Sequence, residues 1–515
     1  MKEKLKRPSN LDIYLVLIIL LSAAYFTYWI AFGNYMYSTF QDNFYDIGGW
    51  AYIMYMHVHG FQFANVLQSF VFFGHISPFL LLIVPIFALY KQPIMLFIIQ
   101  DVFLALTVVL AYLVAKDVLS NKKIAFVLAL AFLINPGIRG LVYYDFHPEA
   151  FIPFFYILAF YFYYKGKSAY FVLSYVLLLS IIETAYLAAG PMLIMLLVYE
   201  LMYNSKSIGL ERERYKKRLK IIAIGILITA CAALFYHVAT LYIIKSYSTT
   251  SDYAVPPITR IVNFIKIQSV IFTHPEAFSY SAISIDVYGG FGLLSIVLGF
   301  GVSSLLNPIG SLIAYSPWIV EVFGLHNLIF ASFASQYYGY IVGASFVSAL
   351  LGLLVLFRYK KKISEMLRTD VRTLEAFVFL SMFVLALVTT VVVLPFGIKL
   401  SLLKLQSIPN VSISQIDTGL ATIPENASVM TTPYIMPHLY YVRNLELTPV
   451  YNNSGLYASN LTVYWFVPDY IVVDRNLEDY NYVSNVPFDV YTYMGDNYTQ
   501  YYNDSGLYIY KRKSS

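Results

Sequence analysis

The sequence predicts an α-helical polytopic membrane protein of about eleven spans, ending in a small extracytoplasmic α/β domain. Three observations carry this. Only 12% of the 515 residues are charged and 59% are hydrophobic, where a soluble domain carries about twice that charge. Apolar runs approaching the roughly 20 residues that cross a bilayer recur from Leu11 to Leu394. From Ile398 onward the chain turns rich in Asn, Tyr, Ser and Thr, with short alternating runs instead of long apolar ones.

The elements follow in chain order. Lys2, Lys4, Lys6 and Arg7 precede the first apolar run, which places the N-terminus in the cytosol. Leu11–Phe32 is long and lacks a small-residue cleavage site, so it reads as a span and not a signal peptide. A polar-aromatic first outer loop, 33–92, carries Asp42, Asp46, His57, His59 and His75. Within it, Ile76–Tyr90 has 15 residues and two prolines, Pro78 and Pro85. Distribution of Lys and Arg decides its fate. If it does not cross, the cytosolic segments hold 22 of the 34 Lys and Arg, and the outer loops of the membrane part hold 5. If it crosses, most positive loops move outside, against the charge bias of membrane insertion. The spans are then about 11–32, 93–115, 124–138, 150–164, 168–183, 186–203, 220–244, 286–304, 308–323, 338–357 and 373–397. Residues 1–397 thus form the membrane domain and 398–515 the outer domain, with strands expected at Ser428–Thr432, Tyr470–Asp474 and Leu507–Tyr510. Six Asn-x-Ser/Thr sequons, at Asn410, Asn426, Asn452, Asn460, Asn497 and Asn503, all fall in that tail. This fits an outside location in a cell membrane and allows glycosylation.

Several function classes drop out. The chain has no Walker loop, no Gly-rich dinucleotide motif and no Cys/His zinc spacing, and its single cysteine, Cys231, excludes a disulfide framework. No nucleic-acid partner is expected; the partner is the bilayer. What remains is chemistry at the outer face. Tyr143-Tyr144-Asp145-Phe146-His147-Pro148-Glu149 packs two carboxylates and an imidazole between apolar runs. Such groups are costly in lipid and belong at a membrane surface or in a wet cavity. Asp46, His75 and Glu183 face the same side in this topology, as do Arg139, Arg260 and Lys266. Structural readings stand beside the functional ones. Asp46 can cap a turn before Gly48-Gly49, and Pro148-Glu149 has the form of a helix start. Asp101, beside Gln100 in the second span, reads as a hydrogen-bonding residue. The 49 tyrosines read first as an interfacial belt. Glu183 resists such readings, because it lies at the membrane boundary between two apolar runs.

Tyr45-Asp46-Ile47-Gly48, Gly74-His75-Ile76-Ser77-Pro78, Gln100, Asn135-Pro136, Asp145-Phe146-His147-Pro148-Glu149 and Glu183 together resemble an uncharacterised prokaryotic membrane family, domain of unknown function 2079. The resemblance covers most of 40–360. It departs at Ile182-Glu183-Thr184, where the family usually has Lys-Glu-Asp, so a catalytic Lys or Asp at those flanking places is excluded. That family is similar in layout to the C-type glycosyltransferases (GT-C), which use polyprenyl-phosphate sugars. The resemblance implies a membrane glycosyltransferase with Asp46, His147 and Glu183 as catalytic residues and His75 at the substrate. Asp46 would be general base on the acceptor hydroxyl or a metal ligand. Arg139, Arg260 or Lys266 would meet the leaving lipid phosphate. A metal, if used, would be Mg²⁺ or Mn²⁺ on Asp46, Asp145, His147 and Glu149. The residues alone also allow a lipid or solute transporter or flippase, or a non-catalytic envelope protein whose tail binds a partner.

Overall fold

The computed structural model describes residues 11–40, 46–59, 71–72, 75–143, 145–205, 208–243, 266, 292–325, 336–406, 413–432, 435–447, 451–452, 455–456, 467–474, 497–504 and 506–513. The membrane part is helical. α1 (Ile13–Ser38) packs on α4 (Ile94–Leu119), and α4 on α5 (Lys122–Leu133). α7 (Ile152–Tyr164) and α8 (Ser168–Ser180) form a hairpin, followed by α9 (Tyr186–Tyr203) and α10 (Leu210–Ile243). α11 (Pro308–Leu325), α12 (Gly339–Met366) and α13 (Val371–Gln406) complete the set. α12 runs through the middle, and almost every residue of its first half is buried, including Gly343, Ser345 and Ser348. Small residues of this kind let neighbouring helices approach closely.

Among the described residues six helices are long and apolar enough to cross a membrane, or seven if one bent pair counts as a span. The difference from eleven has local causes. α7 and α8 have 13 residues each, about 20 Å against a core of roughly 30 Å. The run 124–138 is not one helix but α5 and α6 (Pro136–Tyr143), bent by 40°. Pro136 disfavours helix at Asn135 before it. Asn135 Oδ1 accepts the Gly137 N–H at 2.9 Å, and its Nδ2 donates to the Ile296 carbonyl at 3.2 Å. The run 286–304 is only partly described, as helix over 292–298 and a 3-10 turn at Gly301–Leu306. Within Ile76–Tyr90, α3 (Leu80–Phe87) has 8 residues, about 12 Å and under half the hydrocarbon thickness.

After α13 the chain forms α14 (Ile413–Leu420) and a five-stranded mixed sheet of order β4-β3-β7-β9-β8. β3 (Ser428–Thr431) pairs in parallel with β4 (Asn444–Leu447) and β7 (Tyr470–Asp474). β9 (Leu507–Arg512) pairs antiparallel with β7 and β8 (Tyr498–Asp504). Val429, Val472, Leu507 and Ile509 bury one face against Ile416 and Leu420 of α14. The same cluster takes in Phe40, just beyond α1, and Tyr52 of α2 (Asp46–Val58), so the sheet region is seated on the first loop.

Candidate functional site

α2 is the element on which the site is built. Asp46 opens it and Trp50 follows four residues later, on the same helical face. Its opposite face is pressed onto the 3-10 turn Met436–Leu439. A Cβ at Gly48 would lie 2.8 Å from the Pro437 nitrogen and 3.0 Å from the Met436 carbonyl carbon, so only glycine permits this approach. Tyr52 donates to the Arg443 carbonyl at 3.0 Å. His438 is half-buried between Tyr37 and Phe40, with ring centroids 4.4 and 3.8 Å away. The tail region thereby fixes where Asp46 and Trp50 stand.

Two carboxylate–imidazole pairs meet at the Trp50 indole. In the first, His147 Nε2 lies 3.4 Å from Asp46 Oδ2. The His147 backbone is held from the second span: its N–H donates to Gln100 Oε1 at 2.9 Å, while Gln100 Nε2 donates to the Leu141 carbonyl at 3.3 Å. Gln100 is fully buried, and with these bonds it sets the height of the 145–149 turn over α4. Asp145 contributes its carbonyl, 3.4 Å from His147 Nδ1. In the second pair, His75 Nδ1 is 2.7 Å from Glu183 Oε1, and Glu183 Oε2 accepts the Ile76 N–H at 2.9 Å. Two further bonds join the same strands of chain: the Phe79 N–H to the Ser180 carbonyl at 2.9 Å, and the Ser77 hydroxyl to the Ile181 carbonyl. The His75 ring stacks on Trp50 at 5.9 Å and 12°, and the His147 ring meets Trp50 edge-on at 6.1 Å and 74°.

Glu149 stands between the pairs. It is 3% exposed, and its Oε2 is buried without a hydrogen-bond partner among the described residues. Burial pushes its carboxyl above the usual range, against the pull of His147 and His75. His75 is raised as well, which for an imidazole favours the charged form. Burial disfavours its cation, but Glu183, with Glu149 and Asp46 behind it, overrides that and lifts the imidazole to about 9. His75 is therefore positive at neutral pH. Its folded value lies above the ordinary 6.5, so the stabilisation is complete below 6.5 and is lost as pH rises through 9. Melting temperature measured from pH 6.5 to 9.5 should fall in the wild type, by a loss of about 1–3 kcal/mol. His75→Gln should flatten that slope; an equal slope in the variant would show that other groups cause it.

Five of the residues singled out in the sequence, Asp46, His75, His147, Glu149 and Glu183, are brought together. The others are not. Arg139 is buried on α6, where its electrostatic neighbours are Tyr25, Tyr143 and Tyr338. Lys266 is exposed, and Arg260 lies outside the described residues. The four expected metal ligands Asp46, Asp145, His147 and Glu149 do not form a binding cluster. Among the described residues no three His, Cys, Asp or Glu side chains converge so as to hold a metal ion. Trp50 was missed as the hub. Its signal was its place four residues after Asp46, on the face that carries the acid.

Comparison with known proteins agrees with the membrane architecture. Residues 36–509 match the family described as "Predicted membrane protein (DUF2079)". No curated protein matches the chain. Among solved structures, the apo crystal structure of ArnT from Cupriavidus metallidurans aligns over 95% of this chain and 98% of its own, with 11% identity and a TM-score of 0.35. At that identity and score the likeness establishes neither a shared fold nor a shared activity. The family match takes in α2, both carboxylate–imidazole pairs and the tail sheet as far as β9, and the chain belongs to the DUF2079 family of membrane proteins.

Proposed function

We propose that this protein is a glycosyltransferase that takes a sugar from a polyprenyl-phosphate carrier at the extracytoplasmic face of the cell membrane. The observation that supports this reading is the meeting of Asp46–His147 and Glu183–His75 on one indole, from segments up to 137 residues apart. Holding like-charged carboxylates together under burial raises their energy, and chains do so where chemistry makes use of it. Transfer at an anomeric carbon passes through an oxocarbenium-like state, and an acid-rich pocket suits the positive charge that develops. Asp46, whose side chain is 17% exposed, takes the acceptor hydroxyl's proton, with His147 beside it. The freed oxygen forms its bond to the anomeric carbon. The bond from that carbon to the phosphate oxygen breaks, and its electron pair leaves with the polyprenyl phosphate. His75, the positive group inside the cluster, steadies the departing phosphate, and Arg260 and Lys266 are the further cations the sequence offers it. The Lys/Arg bias of the loops supports the outward orientation.

The test is a transfer assay in proteoliposomes with radiolabelled polyprenyl-phosphate hexoses. Label should pass to an acceptor as bare polyprenyl phosphate appears in equal amount. Folded protein that neither transfers label nor releases carrier across a broad donor set would overturn the reading.

A further inference from the structure

We infer that Glu149 Oε2 is the hydrogen-bond acceptor for a hydroxyl of the transferred sugar, which makes the corner formed by Glu149, His75 and Tyr340 the sugar-binding subsite. This rests on the glycosyl-transfer reading and adds to it the place where the sugar is recognised.

The site has one carboxylate too many for its internal partners. Asp46 faces His147, and Glu183 uses one oxygen on His75 and the other on the Ile76 N–H. Glu149 is left with a buried oxygen that nothing in the protein reaches among the described residues. A buried acceptor without a donor is destabilising, and native chains retain one where a ligand or a reaction supplies the partner.

The turn that carries Glu149 is fixed by packing. Its backbone is clamped by the start of α12: a Cβ at Gly339 would lie 2.3 Å from the Glu149 carbonyl oxygen and 2.8 Å from its carbonyl carbon. Glycine at 339 is what allows α12 to lie directly on the Pro148–Phe151 turn. The side chain is 3% exposed and lies in the electrostatic field of His147, His75 and Glu183. Tyr340, the next residue on α12, bonds the Thr184 hydroxyl and stands in the field of both Glu149 and Glu183.

The ligand class follows from what the corner offers. It presents an unfilled acceptor and a phenol, in a place where, among the described residues, no three ligating side chains converge on a cation site. A neutral polyol supplies donors to the first and an acceptor to the second. A sugar hydroxyl fits both without adding charge to a buried site.

The experiment uses the full chain in lipid nanodiscs and measures binding of decaprenyl-phosphate glucose, decaprenyl-phosphate mannose and bare decaprenyl phosphate. Wild type should bind at least one sugar-bearing lipid more tightly than the bare one. Glu149→Gln, which keeps the shape, should shrink that margin by about ten-fold, and Glu149→Ala should erase it, with bare-lipid affinity unchanged in both. A free methyl glycoside, titrated with bare lipid present, separates the sources of the hydroxyl. If only the methyl glycoside loses affinity in Glu149→Gln, Glu149 holds the acceptor and the inference is overturned. A margin that survives in both variants overturns it while leaving the transfer reading intact. Absence of any margin in the wild type overturns both. Thermal unfolding of each ligand-free variant guards against misfolding, and the isosteric Gln variant alone decides the matter if the Ala variant is unstable.

Discussion

Asp46→Asn should reduce sugar transfer by at least about 100-fold, within the range that loss of a general base produces, while the protein stays folded. Both halves of that expectation come from where Asp46 sits. It is the first residue of α2, so its negative charge helps the helix N-terminus by about 0.3–1 kcal/mol. Asn is itself well suited to a helix start, which limits the loss. The contact to His147 is 3.4 Å long and partly exposed, a geometry in which an ion pair contributes little. Stability should therefore change by no more than about 1 kcal/mol. The acceptor's proton, however, has nowhere comparable to go, because an amide is not a base near neutral pH. Turnover and melting temperature measured on the same preparation separate these effects. Full turnover in Asp46→Asn would remove Asp46 from the chemistry. Loss of turnover together with a large loss of stability would make it a structural residue.

The sequence exposed the chemistry better than the geometry. Carboxylates and imidazoles flanked by apolar runs are conspicuous because lipid tolerates them so poorly, and that drew attention to Asp46, His147, Glu149 and Glu183. Pairing was not legible. Nothing in the chain says that Asp46 faces His147 or that His75 faces Glu183, 108 residues away, since both contacts depend on how helices pack. Arg139 misled for a related reason. As a cation near an outer loop it looked ready for a phosphate, but α6 turns it inward among tyrosines. Among the described residues six helices, or seven with the bent pair, are long and apolar enough to cross, and the short apolar runs account for much of the difference from eleven. Composition alone cannot distinguish a 13-residue helix buried among neighbours from a crossing one, and the Asn135-Pro136 break was visible as a proline but not as a bend. The strands at 428, 470 and 507 were readable from alternation within a polar background. That the 436–439 turn would press on Gly48 and so position Asp46 had no local signature at all.

Glu183→Gln should produce the largest loss of stability, about 2–4 kcal/mol, together with loss of transfer. The carboxylate has two buried donors to serve, His75 Nδ1 and the Ile76 N–H, and serves each with one oxygen. A glutamine brings one acceptor oxygen and an NH₂ group. Against a charged His75 the NH₂ faces an N–H whichever way it is turned, and only a neutral His75 with Nδ1 free of its proton can accept from it. One donor is left unmet in a site where Glu183 is 7% exposed, and the positive charge on His75 loses its counter-ion. The damage spreads because this pair is one of four bonds that fasten 75–79 to 180–183, with the Ser77 and Phe79 bonds beside it. Three observations check the argument. The variant should unfold several degrees lower than wild type at pH 7. Its stability should lose most of the fall between pH 6.5 and 9, since that fall comes from His75 held charged by Glu183. The double variant His75→Gln/Glu183→Gln should then be more stable than the sum of the two single losses predicts, because two facing amides can bond each other. Simple additivity in that cycle would mean that His75 and Glu183 act separately, and that the short contact between them is not what holds the first loop to the membrane helices.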